Sequence, residues 1–434
     1  MSQAQQYEMK DSGVEWIGQI PEGWNLSAVK RHYSITLGKM LESLPQTHDA
    51  TLENYMCASN LKWGGIDVST NRQMWFSETE KEEYLLEDGD LLVMEGGSAG
   101  TSSIYHGEFS PCYMQNSVNR CRSKDGSMTQ FLYYWMFLVY HSGHVESACN
   151  RATIMHLTKE KLGRLSFVHI PLPEQAAIAS YLDDKCATID TIIAEAKATI
   201  EEYKAWKASV IFEAVTKGLN PDAEMKDSGV EWIGKIPKGW NIRKIKSICR
   251  LKTGCTPDTS HLEWFNGNVL WYTPGDFSEH YLLGSSLRTL SEQATSDNVA
   301  VKIPKNSVLL VGIGATAGKV GYAQFECSIN QQITALIPFN MSSKYLMYYL
   351  ISSAKTIKEL ANYTTLPIIN NSTLGNFVVM APPFPEQEAI AAYLDDKCAT
   401  IDGVIAEKEA LIAELESYKK SLIFETVTGK RKVV

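Results

Sequence analysis

A short stretch that combines three glycines with a lysine is the first candidate in this sequence for binding a phosphate group. It runs from Gly312 to Lys319 and reads G-I-G-A-T-A-G-K. A phosphate-binding Walker A loop needs four residues between its outer glycines and a Ser or Thr after the lysine, because the hydroxyl binds Mg²⁺. Here Gly314 and Gly318 enclose three residues, and Val320 follows the lysine. The spacing therefore predicts a tight turn after a strand, with backbone N–H contacts to a DNA phosphate as the alternative.

Amide side chains form a second set that could act on a ligand, in this case the edges of DNA bases. They lie in the stretches Gln115-Asn116-Ser117 and Asn330-Gln331-Gln332. Asn and Gln can pair bidentately with adenine. Because both halves of the chain keep such a stretch, we favour a structural hydrogen-bonding role and retain base reading as the alternative. Among these loops and amide stretches, and at one further asparagine, we predict DNA contacts for Ser98, Thr101, Asn116, Thr316, Lys319, Gln331 and Asn370.

Basic residues form a third set. The net charge of the chain is −9, yet residues 242–383 carry +4 and residues 26–170 carry −3. A solvated charged face is the ordinary explanation of a basic cluster, and contact with DNA phosphates is the competing one. On the second explanation the DNA-contacting residues are Lys30, Arg31, Arg151, Arg243, Lys244, Lys246 and Arg250.

Catalytic and metal-binding patterns are missing from the sequence. The nine histidines show no H-E-x-x-H spacing, and there is neither a G-x-S-x-G elbow nor the Asn/Asp-Pro-Pro-Tyr/Phe tetrapeptide of amino-methyltransferases. The nine cysteines include no C-x-x-C pair, which indicates reduced thiols in a cytoplasmic protein. No apolar run approaches the length of a membrane helix. We therefore expect no metal and no catalysis on this chain, and an enzyme with an unrecognised site is a minor alternative.

Two segments of the chain occur twice. Residues 173–190 and 385–402 are identical at 16 of 18 positions, and both begin with P-E-Q. Residues 9–25 and 225–241 are identical at 15 of 17 positions, and we name these segments the straps. Repeats this close at a domain-sized period indicate a tandem duplication. The Trp residues of each strap are expected to pack as hydrophobic anchors.

Between strap and P-E-Q segment lie two bodies, residues 26–170 and 242–383. Their patterns predict mixed α/β structure, with a buried strand at 90–94 in one body and at 307–311 in the other. The first sixty residues of the two bodies resist alignment with each other. Duplicated straps and helices beside diverged bodies indicate that the two halves do the same job on different targets.

The residues that follow each P-E-Q carry apolar side chains at helical spacing. Each helix could extend about 40 residues, or about 60 Å. A helix of this length needs a partner for its apolar stripe, and we expect the two to pair as an antiparallel coiled coil, with folding back within one half as the alternative. The predicted segments are a strap (1–25), a body (26–170), a helix (171–218), a second strap (219–241), a second body (242–383) and a second helix (384–434).

These motifs together resemble the specificity subunit of Type I restriction-modification systems. The resemblance rests on the strap G-V-E-W-I-G-x-I-P-x-G-W, the helix start P-x-P-E-Q-x-x-I-x-x-Y-L-D and the helix end E-x-V-T-x-G at Glu213–Gly218. The second helix departs from that ending, since Glu425–Gly429 reads only E-x-V-T-G.

The resemblance implies an α/β (α+β) fold with two pseudo-symmetric target-recognition domains separated by two long antiparallel helices. It implies a non-catalytic subunit whose bodies each read one half of a bipartite site in double-stranded DNA, with helix length setting the unread spacer. It also implies two modification (methyltransferase) subunits docked on the helices, restriction subunits, and S-adenosylmethionine, ATP and Mg²⁺ on those partners. A coiled-coil adaptor without DNA readout is the alternative. The helix residues expected to bind partners are Tyr181, Leu182, Ile189, Tyr393, Leu394 and Ile401.

Overall fold

The computed structural model describes residues 7–148, 155–278, 280–363 and 367–433. The chain divides into two units. Unit 1 comprises Met1–Ala196 with Ala410–Val434, and unit 2 comprises Lys197–Glu409. Each unit therefore holds one strap, one body and a part of each long helix. The borders predicted between body and helix stay predictions, because the units divide the helices themselves.

The elements of unit 1 follow the chain in short strands and helices. The strands are β1 (Met9–Asp11), β2 (Gln19–Pro21), β3 (Asn25–Ala28), β4 (Tyr33–Leu37), β5 (Thr51–Met56), β6 (Leu61–Lys62), β7 (Gly65–Ile66), β8 (Arg72–Phe76), β9 (Leu91–Met94), β10 (Ser102–Ile104), β11 (Tyr113–Met114), β12 (Val118–Ser123) and β13 (Ser166–His169). The helices are α1 (Val29–His32), α2 (Glu78–Tyr84), α3 (Thr129–His141), α4 (His144–Ala148), α5 (Lys159–Arg164) and the start of α6 (Leu172–Lys217).

The elements of unit 2 follow a similar order, with differences in the region after the first strand of the central sheet and an added pair of short strands, β25 and β26. The strands are β14 (Met225–Asp227), β15 (Lys235–Pro237), β16 (Asn241–Lys244), β17 (Cys249–Thr253), β18 (Phe265–Tyr272), β19 (Leu282–Leu283), β20 (Arg288–Leu290), β21 (Val308–Val311), β22 (Val320–Ala323), β23 (Cys327–Ile329), β24 (Ile333–Pro338), β25 (Asn362–Tyr363), β26 (Pro367–Ile368) and β27 (Val378–Ala381). The helices are α7 (Glu292–Ser296), α8 (Ser343–Ser352), α9 (Ala354–Glu359), α10 (Asn371–Asn376) and α11 (Phe384–Val427), whose end belongs to unit 1.

The two central sheets have matching topology. In unit 1 the order is β10-β9-β12-β4, with antiparallel neighbours. In unit 2 the order is β17-β24-β21-β22, extended by β19. A smaller sheet accompanies each, β11-β5-β8 in unit 1 and β20-β18-β23 in unit 2. The buried strands predicted at 90–94 and 307–311 are β9 and β21, and every residue of both is buried.

Each hydrophobic core lies between the central sheet, an aromatic helix and the start of a long helix. In unit 1 the aromatic helix is α3, and in unit 2 it is α8. The straps close these cores, since Trp24 is 2% exposed and Trp240 is 1% exposed. The predicted role of these tryptophans as anchors is confirmed.

The long helices pair in an antiparallel sense within each unit. In unit 1, Lys419 Nζ of α11 lies 2.6 Å from Asp190 Oδ2 of α6. In unit 2, Lys207 Nζ of α6 lies 2.7 Å from Asp402 Oδ2 of α11. Asp190 and Lys207 correspond to Asp402 and Lys419 at the offset of the duplication, so the same ion pair forms in both units. The predicted pairing of each helix with its duplicate is therefore confirmed.

Both long helices end on a glycine that packs against a strap. Gly218 and Gly429 have φ of +77° and +72°, the left-handed conformation that commonly ends a helix. A Cβ on Gly218 would lie 3.1 Å from Trp240, and one on Gly429 would collide with Pro21. Although the second helix ends with the shorter motif E-x-V-T-G, its glycine still packs against a strap, in this case the strap at residues 9–25.

Candidate nucleic-acid interface

Three loops meet at one end of the central sheet of unit 1. Strand β12 lies between β4 and β9, with Asn119 opposite Leu37 and Val118 opposite Met94. Because the strands are antiparallel, the exits of β4 and β9 and the entry of β12 share one sheet end. Segments 38–40, 96–101 and 115–117 therefore lie together, and we name this end the loop edge of unit 1.

Unit 2 has an equivalent loop edge. Strand β24 lies between β17 and β21, with Thr334 opposite Thr253 and Ile333 opposite Val311. The same argument brings together segments 254–256, 312–319 and 330–332. Gly312 N donates to Gln332 O at 2.7 Å, which joins two of them directly.

The amide stretches form tight turns at the loop edges. Gln115 Oε1 accepts from the Ser117 backbone N–H at 3.1 Å, and Asn330 Oδ1 accepts from Gln332 N–H at 3.1 Å. These bonds confirm the structural role that the sequence favoured for Gln115 and Asn330. Gln331, by contrast, is exposed and bonds the Thr256 hydroxyl, and Asn116 is half-buried. The Asn116 amide oxygen accepts from Gln115 Nε2 at 2.5 Å, so Gln331 is the exposed amide of the two turns and Asn116 is partly used within its own turn.

A glycine supports each amide turn from the neighbouring strand. A Cβ added to Gly38 would collide with the carbonyl of Gln115, and a Cβ added to Gly254 would collide with that of Ile329. The two glycines follow β4 and β17 directly. The turn and the strand exit therefore approach each other more closely than any side chain would allow.

The glycine-rich loops are hairpin connections, as the spacing predicted. Gly318 N donates to Val311 O at 2.8 Å, and Gly100 N donates to Met94 O at 2.9 Å. Ser98 is exposed, Thr316 is half-buried and Thr101 is buried. Lys319 is exposed, and its Nζ donates to Phe277 O at 3.1 Å. Backbone amides of these loops are used to close the hairpins, which argues against a nucleotide-binding loop.

The structure does not bring the predicted basic residues to the loop edges. Lys30 and Arg31 belong to α1, which precedes β4, and Lys246 holds the same position before β17. Five residues of strand separate each set from its loop edge, or about 17 Å at 3.3 Å per residue. Arg243, Lys244 and Arg250 are also exposed and lie on β16 and at the start of β17. The predicted DNA contacts therefore form two groups at opposite ends of each sheet.

Two predicted contacts remain. Arg151 lies outside the described residues. Asn370 is exposed and caps α10, because its Oδ1 accepts from Thr373 N–H at 2.8 Å. Capping satisfies an N–H that has no partner inside the helix, so Asn370 has a structural role whatever else it contacts.

Sequence reasoning missed a group of exposed apolar residues beside the loop edges. In unit 1 these are Met40, Leu41 and Leu44, which are 71%, 62% and 68% exposed. In unit 2, Leu262 is 78% exposed. Their signal was available, since they follow the strand exit inside the region that differs most between the two bodies. Exposed apolar side chains that lie close together along the chain, as in unit 1, mark a candidate contact surface, whereas a single exposed leucine such as Leu262 does not by itself.

The P-E-Q motif joins helix, strap and body in each unit. Trp24 Nε1 donates to Glu174 Oε2 at 2.9 Å, and Trp240 Nε1 donates to Glu386 at 3.1 Å. The next residue, Gln175 or Gln387, is buried and bonds two backbone groups of its own body. The motif therefore fixes the direction in which each long helix leaves its body.

The predicted partner-binding residues of the helices divide by burial. Leu182, Ile189, Leu394 and Ile401 are between 0% and 6% exposed, so they stabilise their own units. Tyr181 is half-buried and Tyr393 is 37% exposed. Lys185 and Lys397 lie over their rings at 5.9 and 6.0 Å. These tyrosines and lysines are the accessible part of the surface predicted to bind partners.

One cluster in unit 1 has the order of a catalytic triad. Ser27 Oγ lies 2.8 Å from His32 Nε2, and His32 Nδ1 lies 2.6 Å from Asp125 Oδ2. In a serine hydrolase the acid is buried and the serine faces a cleft. Here Asp125 is the exposed member at 42%, and the ring of His169 covers His32 at 3.9 Å. Burial opposes ionisation, but hydrogen bonds from Ser127 and His32 lower the pKa of Asp125 to about 2. The cluster therefore ties α1 to the end of β12 by charge and hydrogen bonds.

Three histidines of unit 1 predict a pH dependence of its stability. Desolvation is the main cause that lowers the pKa of His141, His144 and His169. The charges of Lys420 and Lys419 lower the pKa of His141 further, whereas at His169 the neighbouring His32 lowers the pKa and Asp125 raises it. A histidine whose folded pKa lies below its unfolded value near 6.5 contributes stability above that pH and loses it as the pH falls. We expect amide hydrogen exchange of unit 1, corrected for intrinsic rates, to accelerate between pH 7.5 and 5.5 more than that of unit 2. Replacing all three residues with Gln should remove the difference, and equal acceleration in both units would contradict the assignment.

Neither a metal site nor a membrane-spanning helix is found in the part of the chain that the structure describes. No group of three or more His, Cys, Asp or Glu side chains among those residues could hold a metal ion. None of the described helices is long and apolar enough to cross a membrane.

The comparisons with known proteins agree with one another. The putative type I restriction enzyme MjaX specificity subunit of Methanocaldococcus jannaschii is 23% identical over 436 residues, which cover 96% of this chain and 96% of that protein. The MjaIX specificity subunit of the same organism is 31% identical over 172 residues, 38% of this chain and 40% of that protein. A chain from a study of complex assembly and conformational transition in the type I R-M system has a TM-score of 0.73 at 14% identity, covering 94% of this chain and 98% of that chain. This likeness confirms the predicted fold.

The family model spans both halves of the chain. The model of the Type I restriction modification DNA specificity domain matches residues 58–202 and 237–416, which include most of both bodies and the larger part of both long helices. The chain therefore belongs to the family of Type I restriction-modification specificity subunits.

Proposed function

We propose that this chain is the DNA-recognition subunit of a Type I restriction-modification complex, with no catalytic activity of its own. One observation carries the proposal: in each unit a segment of the most diverged region converges with a glycine-rich loop and an amide turn at a single sheet end. The two units share a duplicated scaffold but carry different segments at their loop edges. This arrangement suits the recognition of two different half-sites. Each body therefore reads one half of a bipartite sequence.

The loop edges offer the chemistry that base reading needs. The amides of Asn116 and Gln331 can donate to and accept from adenine in the major groove. In unit 1 the apolar side chains at Met40 and Leu41 can contact the methyl group of thymine, the apolar feature of that groove. Ser98 and Thr316 can bond bases or phosphates. Polar and apolar readers at one edge support sequence recognition over simple attachment to the DNA backbone.

The long helices supply the second half of the proposal. They carry net negative charge, which disfavours DNA as their ligand and suits a protein partner. We assign to them the docking of two modification subunits, at the duplicated surface formed by Tyr181 and Lys185 and by Tyr393 and Lys397. Those subunits bring S-adenosylmethionine and the methyl transfer, and restriction subunits bring ATP and Mg²⁺. Helix length then sets the spacer between the half-sites.

Exchange of one body tests the assignment of half-sites. Residues 26–170 are replaced by the corresponding body of another family member, and the methylated sequence is determined by methylome sequencing. We expect one half-site to change while the other half-site and the spacer remain, because unit 2 and both helices keep their residues. Exchange of residues 242–383 is the matched control and should change the opposite half-site.

Other outcomes would remove the proposal. A change in both half-sites after a single exchange would show that the bodies do not read independently. Wild-type complex that shifts no duplex DNA at any salt concentration would favour a protein adaptor instead. Methyl transfer by the purified chain alone would assign catalysis to it.

A further inference from the structure

A basic cleft lies on the side of the body in unit 1. It has a volume of about 320 Å³ and lies between α1, β4 and α5. Four cationic side chains line it, those of Lys30, Lys124, Lys159 and Arg164, together with the carboxylate of Glu160. The absence of a side chain at Gly163 keeps the cleft open, because a Cβ there would lie 3.2 Å from Lys30 Cβ.

The positive charge of the cleft is only partly neutralised from within, by the single carboxylate of Glu160. Glu160 lies in the first turn of α5, where hydrogen bonds from its own backbone N–H and from Thr158 lower its pKa. Lys124 Nζ donates to the carbonyl of Lys30 at 2.8 Å, which holds the ammonium at the cleft without cancelling its charge. Among the described residues, no ion pair within 4 Å joins the four cations to a carboxylate. One carboxylate against four cations leaves a net positive concavity.

The equivalent position in unit 2 has one cation, Lys246, and no basic residues on its α10. Gly375 takes the place of Gly163, and Asn371 and Asn376 take the places of Lys159 and Arg164. Lys246 corresponds to Lys30, and its Nζ is bonded to Asn376 Oδ1 at 2.7 Å. The basic cleft is therefore a feature of unit 1 that the shared scaffold does not impose. It occurs although the body of unit 1 has a net charge of −3 and that of unit 2 a net charge of +4.

We propose that this cleft binds phosphate groups of the DNA backbone beside the half-site read by unit 1, an inference that rests on the proposed function. Four cations around a concave surface match the chemistry of a phosphodiester. The cleft gives the acidic body of unit 1 the local charge that any DNA-binding surface needs. The body of unit 2 already has a net charge of +4, which attracts DNA without such a cleft.

The position of the cleft connects it to the loop edge. Helix α5 starts two residues after Leu157, whose N–H donates to Glu95 O at 2.7 Å beside the glycine-rich loop. The helix ends next to α1, where Leu165 O accepts from Val29 N–H at 3.2 Å. Lys159 therefore lies toward the loop edge, and Arg164 and Lys30 lie toward the other end of the sheet. A duplex held at the loop edge can run its backbone along this path.

The test measures salt dependence of binding by the full chain in complex with its modification subunits. The variants are Lys159→Gln with Arg164→Gln, and Lys30→Gln added to them. The slope of log K against log[salt] is negative, and each lost phosphate contact should reduce its magnitude by about 0.9. Each lost contact should also weaken binding about fivefold near physiological salt. The methylated sequence should stay unchanged, because backbone contacts carry no base information. Lys161→Gln is the matched control, since Lys161 lies on α5 but does not line the cleft, and the variant should bind DNA like wild type.

The outcomes separate this inference from the proposed function. Wild-type complex without salt-dependent DNA binding would overturn both. Wild-type binding with unchanged slopes in the cleft variants would overturn the cleft alone. Titration with inorganic phosphate forms the second arm: variants that lose phosphate binding but keep the wild-type DNA slope would make the cleft a site for a free anion and overturn the proposal. A change in the methylated sequence would show that the cations act in base reading instead.

Discussion

Replacing Gln175 or Gln387 with Leu is expected to destabilise the unit that contains it by about 2–6 kcal/mol. Gln175 Oε1 accepts from Met128 N–H at 2.8 Å, and its Nε2 donates to Ile170 O at 2.9 Å. Gln387 makes the equivalent bonds to Ser342 N–H and Pro382 O, both at 2.8 Å. Leu fills a similar volume but leaves two buried backbone groups without partners, and each such group costs about 1–3 kcal/mol.

Hydrogen exchange resolved by unit measures this effect. Gln175→Leu should lower protection in unit 1, and Gln387→Leu should lower it in unit 2. Glu174→Gln is the matched control one residue away, because its amide oxygen still accepts from Trp24 Nε1, and we expect little change. If Gln175→Leu left the protection of unit 1 at the wild-type level, the motif would not act as a clamp between helix and body.

Alanine at Gly38 or Gly254 is the second change with a large expected effect. Its Cβ would collide with a backbone carbonyl of the amide turn, which cannot move aside as a flexible side chain can. Overpacking of this kind costs about 1–3 kcal/mol. We also expect methylation to fall through the loss of one half-site contact, because the displaced turn carries Asn116 in unit 1 and Gln331 in unit 2.

Denaturation and methylation assays on the same variants check both parts. Gly403→Ala provides the control, since Gly403 lies inside α11 with open space around it. It should stabilise the helix by about 0.5–1 kcal/mol, because alanine loses less backbone freedom than glycine on folding. Gly254→Ala with wild-type stability and methylation would show that the turn can shift without cost.

The repeats made several parts of the fold predictable. The helices predicted from P-E-Q onward are α6 and α11, because apolar side chains at helical spacing persist over their whole length without an internal proline. The buried strands β9 and β21 carry unbroken apolar runs. These are local properties of the chain, and local patterns report them directly.

The candidate site was less predictable. The amide turns and the glycine-rich loops were recognised as candidates, but nothing in their spacing showed that they meet. Strand β4 pairs with β12 at residues more than eighty positions away along the chain, and this pairing creates the loop edge. The basic residues were predicted to contact DNA because their charge suits phosphates, yet the sheet separates them from the loops by the length of a strand.

Some residues acquired a role only through contacts that cross the fold. Gln175 reads as an ordinary polar residue in the first turn of a helix, and its burial between two backbone groups follows from the docking of that helix on the body. The basic cleft likewise combines residues from α1, the end of β12 and α5. No window of sequence contains them together.

The sequence by itself determined the duplication, the long helices, the anchoring straps and the membership of the family, because repeated motifs and periodicity are written along the chain. Only the tertiary structure decided which loops share an edge, which cations share a cleft and which glycines permit close approach. These depend on strand register and helix docking, which bring together residues that are distant in sequence. The glycine-rich loop at Gly312–Lys319 shows the difference, since its spacing excluded nucleotide binding, whereas strand pairing alone placed it beside the amide turn.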